Sequence, residues 1–137
     1  MTLRIPQEMV DAILQQALEC YPEESCGVIL GPIGKDEPTR IKPMVNSAHS
    51  PVFYEFDSRE LLALYREIEE NDKEIVVIYH SHPTSEAYPS STDIAYAGEP
   101  GAHYVLSSHR EELGGKPEFR SFRIVDGVVT EEAVEII

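Results

Sequence analysis

The sequence predicts a mixed α/β (α+β) protein, a single mixed β-sheet packed with helices, forming one domain over residues 1–137. Three observations lead there. Apolar residues recur at helical spacing over residues 6–20 and 57–70, whereas the short apolar runs at 26–30, 75–79 and 103–107 have the length of strands. Segments of the two kinds alternate, without repeats or low-complexity stretches. Asp126-Gly127 then separates two further runs, a type I′ hairpin signal because glycine accepts positive φ.

Each element has its own cause. Pro6 suits a first helical position, Glu8 lies in the first turn, and Val10, Ile13, Leu14, Ala17 and Leu18 make one face. Tyr21-Pro22 ends that helix, since proline cannot continue the hydrogen-bond ladder. Cys26 to Leu30 reads as a central strand and Gly31 to Asp36 as a turn. Thr39 to Val45 and Val52 to Phe56 are the next strand candidates, and Pro43 makes the first an edge or bulged strand. Asp57 with Glu60 predicts a capping box for a helix whose inner side carries Leu61, Leu64, Tyr65 and Ile68. Ile75 to Tyr79 is a buried strand. Ser90 with Asp93 resembles a helix start, giving a short helix over Thr92 to Ala97. His103 to Ser107, Phe119 to Val125 and Val128 to about Val134 complete the strands.

Composition narrows the class. With 42% apolar and 26% charged residues the chain reads as a globular protein, and 137 residues suffice for a real core. Eleven basic against 25 acidic residues give a net charge of −14, which repels phosphate backbones and anionic lipid and makes nucleic acid a poor partner. No apolar run is long enough to span a bilayer. The N-terminus lacks a basic start followed by an apolar stretch, so secretion is not expected. Cys20 and Cys26 lack C-x-x-C spacing, and free thiols in a cytoplasmic setting fit them better than a disulfide framework.

The chemistry concentrates in His80 to Asp93. In an extended segment residues i and i+2 point the same way, so His80 and His82 at the end of the Ile75–Tyr79 strand aim both imidazoles at one point. Asp93 brings a carboxylate. Two histidines and one carboxylate with a fourth position open is the ligand count of a catalytic zinc site, although non-haem iron uses the same set. Taken singly, H-x-H also fits satisfied histidines, and Ser90-x-x-Asp93 fits a plain helix cap. Together they fit a metal site, because the histidines end a buried strand and the cap delivers its acid just beyond the same loop. Such a site needs a base to accept a proton from water. Glu86, Glu23 and Glu24 are the candidates. Glu86 reads as solvent-facing, and Glu24 reaches the ligands only if the strand after it pairs with Ile75–Tyr79; spacing alone leaves the choice open.

His80-Ser81-His82-Pro83 followed by Ser90-Ser91-Thr92-Asp93 matches the H-x-H-x7-S-x2-D signature, and Pro22-Glu23-Glu24-Ser25-Cys26-Gly27 matches P-x-E-x-C-G, in the order found in the JAMM (MPN-plus) metalloproteases. The sequence resembles that family from the first helix to about Ser107. Its length, without long insertions, is similar to the stand-alone bacterial branch, whose members include peptidases acting on ubiquitin-like sulfur-carrier proteins, one of them releasing cysteine from a carrier adduct.

The resemblance implies an MPN/cytidine-deaminase-like architecture and a Zn2+ ion held by His80, His82 and Asp93. It implies Glu24 as the base that polarises the metal-activated water and passes the proton to the leaving amine, and Ser90 as a donor to the tetrahedral oxyanion. Cys26 matches the family's cysteine, a buried thiol beside the site rather than a nucleophile. The implied substrate is an amide at the Gly-Gly C-terminus of a ubiquitin-like sulfur carrier, with a homodimer left open. Deubiquitinase-like isopeptidase activity is the first alternative, disfavoured by the lack of insertions. A non-catalytic binding module is the second, disfavoured because all five catalytic-type residues are present. Deamination lacks its C-P-x-x-C motif.

Overall fold

The computed structural model describes all 137 residues. Seven strands form one mixed sheet: β1 (Thr2–Ile5), β2 (Cys26–Pro32), β3 (Arg40–Met44), β4 (Lys73–Ser81), β5 (His103–Ser108), β6 (Glu118–Val125) and β7 (Val128–Ile136). Their order across the sheet is β1-β7-β6-β5-β4-β2-β3. β4 runs parallel to β5 and β1 parallel to β7, and every other pair is antiparallel. Three helices accompany the sheet, α1 (Gln7–Cys20), α2 (Ser58–Glu70) and α3 (Ser91–Tyr96).

Alternation along the strands sends side chains to two cores. On one face Met9, Val10 and Ile13 of α1 pack with Ile29, Val77, Tyr79 and Val105. On the other Leu64 of α2 packs with Cys26, Val28, Leu30, Ile78, Tyr104, Leu106 and Phe122. The sheet is thus sandwiched between α1 and α2. Val76 is an extra residue in β4: Val77 pairs with Ile29 and Ile75 with Leu30, a β-bulge that re-phases the strand below the site.

The central strands and the hairpin form where the apolar runs and Asp126-Gly127 predict them; Asp126 and Gly127 both have positive φ, at 50° and 77°. β3 is an edge strand, as Pro43 requires, and its Arg40 and Lys42 pair with Glu67 of α2.

Three expectations are corrected, and one strand, β1, was not foreseen. Val52 to Phe56 is not a strand: it makes only one bridge, Asn46 to Phe56, while Tyr54 and Phe56 pack on the sheet-face core and on each other and Phe53 meets Tyr96 of α3. β1 forms without a sequence signal, since four residues are too few to show a period, and it pairs with the far end of the chain. Leu18 and Tyr65, assigned to inner helix faces, are exposed. The Asp57 cap forms, its carboxylate accepting from Glu60 N, but the reciprocal half does not, because Glu60 Oε1 accepts from Val45 N at 2.7 Å instead.

Candidate metal centre

The parallel β4 and β5 end at the same edge of the sheet, and antiparallel β2 begins there. Cys26 pairs with His80. Beyond that pair the ladder continues: Ser81 N donates to Ser25 O at 3.1 Å, and Ser25 N donates to Ser81 Oγ at 2.8 Å. The continued register brings Glu24 opposite His82. The strand pairing on which Glu24 depended therefore exists. The loop after β4 carries the chain to α3, whose first turn holds Asp93.

His80 Nε2, His82 Nε2 and Asp93 Oδ2 converge, with Nε2 to Nε2 at 3.2 Å and the two imidazoles 3.2 and 3.0 Å from the carboxylate oxygen. A tetrahedron with bonds of about 2.0 Å has edges of roughly 3.3 Å, so these separations fit one small cation with N and O ligands. The hydrogen bonding agrees. His82 Nδ1 donates to Glu86 O at 2.8 Å, which fixes the proton there and turns the Nε2 lone pair inward. His80 is 2% exposed and stacks on Tyr54, with ring centroids 4.5 Å apart. Asp93 lies far below the usual carboxylate range; burial opposes this, but the hydrogen bonds to His80 and His82 outweigh it. Burial lowers His80. On His82 the effect of burial is outweighed by the hydrogen bonds to Asp93 and the Glu86 carbonyl, so its pKa is raised.

Glu24 completes the group from β2. It is 4% exposed, its Oε1 has no hydrogen-bond partner, and burial pushes its carboxyl up to about 8, with His82 pulling it down and Asp93 pushing it up. A buried carboxyl without a protein partner is costly unless something outside the chain uses it. The other two candidates point elsewhere. Glu23 pairs with His49 at 3.1 Å, and the exposed Glu86 side chain pairs with Arg120 at 2.9 Å.

Ser90 is the N-cap of α3. Its Oγ accepts from Asp93 N at 3.0 Å, and Ser90 N donates to Asp93 Oδ2 at 2.8 Å, the oxygen that also meets both imidazoles. A hydroxyl accepting one bond keeps its own hydrogen, so capping does not consume the O–H. Cys26 is fully buried, and burial pushes its thiol up to about 12, which disfavours the thiolate a nucleophile needs.

Two supports were not visible in the sequence. Asn46 Nδ2 donates to Glu24 O at 3.1 Å and to Phe53 O at 2.9 Å, while its Oδ1 accepts from Ala48 N and Glu55 N. It therefore ties the segment after β3 to Glu24. Gly27 must lack a side chain because the Tyr79 ring lies where its Cβ would stand. The Tyr79 hydroxyl donates to Gln16 Oε1, and Gln16 Nε2 donates to Cys26 O at 2.9 Å, so α1 is fastened to the start of β2. An apolar groove of about 350 Å³, lined by Tyr54, Leu64, Ile78 and Tyr96 among others, reaches the site at Asp93.

This fold and ligand set define a JAB/MPN-type domain. A family model for prokaryotic homologs of the JAB domain matches residues 6–125, and the chain belongs to that family. It is 50% identical over 135 residues to the protein called CysO-cysteine peptidase in Mycobacterium tuberculosis (strain ATCC 25618 / H37Rv), covering 98% of this chain and 91% of the relative. Among solved structures, a Desulfitobacterium hafniense protein superposes with a TM-score of 0.83 at 29% identity, covering 100% of this chain and 93% of that one. A JAB1/MPN domain protein from Archaeoglobus fulgidus superposes with a TM-score of 0.62 at 16% identity over 96% of this chain and 98% of its own, a likeness of fold alone.

Proposed function

We propose that the chain is a zinc-dependent peptidase that hydrolyses the amide joining a small amine, such as cysteine, to the C-terminus of a ubiquitin-like sulfur-carrier protein. The observation that carries this reading is the buried, unpartnered Glu24 carboxyl beside the convergent His80, His82 and Asp93. The 50% identity to a CysO-cysteine peptidase supports the substrate class.

His80, His82 and Asp93 would hold the cation, which when bound would supply Lewis-acid polarisation of water and of the scissile carbonyl. Glu24 takes the proton from the attacking water and delivers it to the departing nitrogen, so that amide plus water becomes carboxylate plus protonated amine, the second proton of the water passing to the same nitrogen as the carboxyl forms. Ser90 directs its free O–H toward the oxygen that gains charge as the carbonyl becomes tetrahedral. The groove receives the carrier's tail along its apolar walls. A Gly-Gly end suits its inner limit because backbone without Cβ approaches the ligands closely.

The test is direct. The protein is incubated with a sulfur carrier bearing a C-terminal amide-linked cysteine, and intact mass is followed. Loss of the cysteine residue with restoration of the carrier's terminal carboxylate is expected. An unchanged adduct, with protein shown to contain metal, contradicts the substrate assignment.

A further inference from the structure

His82 takes its orientation from a backbone carbonyl in an irregular loop, Glu86 O, and a loop carbonyl is only as well placed as the contacts that hold it. Four consecutive loop residues are each held by a side chain from the β5–β6 side of the sheet. Ser108 Oγ donates to Ser85 O at 2.7 Å. Arg120 Nη1 donates to Glu86 Oε2 at 2.9 Å. Glu118 Oε1 accepts from Ala87 N at 3.2 Å. The Tyr88 ring meets Phe122 edge-on at 5.3 Å, with the Arg120 guanidinium 5.7 Å above it.

Arg120 is itself immobilised. It lies two strands from His80 on the same face, paired with Leu106 as Leu106 is with His80. Glu131 grips it through two bonds at 3.0 and 2.8 Å. That grip leaves Nη1 aimed at the loop. Tyr88 N donates to the same Glu86 carbonyl at 2.8 Å, so the oxygen is fixed from both sides of the turn.

We propose that Arg120 is a positioning residue of the metal centre, acting through Glu86. Holding the Glu86 side chain keeps the Glu86 carbonyl on His82 Nδ1, keeps the proton on that nitrogen, and keeps Nε2 free as a ligand. The β6 strand, remote from the ligands in sequence, thereby sets how tightly they hold a cation. This inference rests on the metal-centre reading given above.

The test measures Zn2+ affinity by chelator competition for the wild-type chain, Arg120→Ala, Glu86→Gln and the double variant. Long-range 1H–15N spectra of the histidine rings are recorded on the same samples. Partners one shell out from a metal commonly change affinity by 10- to 100-fold. About tenfold weaker binding is expected for Arg120→Ala and for Glu86→Gln, with no further loss in the double variant and with partial rescue by Arg120→Lys. The His82 signals should shift from a single Nδ1–H tautomer toward a mixture. Glu86 is exposed in a loop, so its variant folds even if Arg120→Ala does not. Wild-type affinity in both single variants with an unchanged His82 spectrum overturns the inference. Losses that simply add in the double variant overturn the route through Glu86. A wild-type chain that binds no Zn2+ instead overturns the metal-centre reading itself.

Discussion

Cys26 pairs directly with His80 across β2 and β4, and that one register contact decides which acid reaches the cluster. Because side chains alternate along a strand, Glu24 projects to the same face as Cys26 and His80, whereas Glu23 turns out to His49. The functional arrangement thus follows from antiparallel pairing between segments 56 residues apart, reinforced by the Ser25–Ser81 exchange.

Burial of Glu24 has a consequence for pH. Its carboxyl lies near 8 in the folded chain free of metal, above its ordinary value of 4.5, so the folded state binds this proton more tightly than the unfolded state does. Its stability contribution is therefore full below about pH 4.5 and is lost as pH rises through about 8. Urea midpoints of the metal-free protein between pH 5 and 8.5 should fall more steeply for wild type than for Glu24→Gln. Parallel pH profiles would show that Glu24 is not a buried acid.

The Ser90 hydroxyl caps α3, and the proposed mechanism gives it a second role as oxyanion donor. Removing it in Ser90→Ala takes away the acceptor for Asp93 N, costing about 1 kcal/mol of stability as lost N-caps do. It should also lower kcat by roughly 10²- to 10³-fold, the scale for a lost oxyanion donor. Thermal unfolding and steady-state rates separate the two. Reduced stability with wild-type kcat would leave Ser90 as a cap only.

Asn46 uses its donor and acceptor groups to join Glu24, Phe53, Ala48 and Glu55. Asn46→Ala strips partners from backbone groups and should destabilise the protein by about 1–3 kcal/mol. Metal content should stay at the wild-type level, because Asn46 touches no ligand, while kcat falls as the base loosens. Elemental analysis beside the rate checks this; loss of the metal would place Asn46 in the wrong support.

The convergence of His80, His82 and Asp93 was legible because it is local: H-x-H and the Ser90–Asp93 cap lie within fourteen residues, and strand and helix periodicity alone orient them. The centre of the sheet was legible for a similar reason, since Cys26–Leu30 and Ile75–Tyr79 are apolar enough to be buried on both faces. Glu24 was not legible from spacing, because a partner 56 residues away depends on register; the P-x-E-x-C-G resemblance singled it out instead. The carbonyl of Glu86 had no letter to read, since any residue supplies one. Asn46 looked like a loop residue, and Val52–Phe56 looked like a strand, because the aromatic groups that line the site and the ones that fill a ladder have the same composition.

In the proposed mechanism three residues hold the metal and a fourth, Glu24, moves the proton. Glu24→Gln and His80→Ala, purified in parallel, should be assayed for bound Zn2+ and for cleavage of the carrier–cysteine amide. Glu24→Gln should retain the wild-type metal content with kcat reduced by roughly 10²- to 10⁴-fold, the scale for a lost general base, and His80→Ala should lose both metal and activity. Wild-type turnover in Glu24→Gln, or turnover by wild-type protein stripped of metal, would contradict that mechanism.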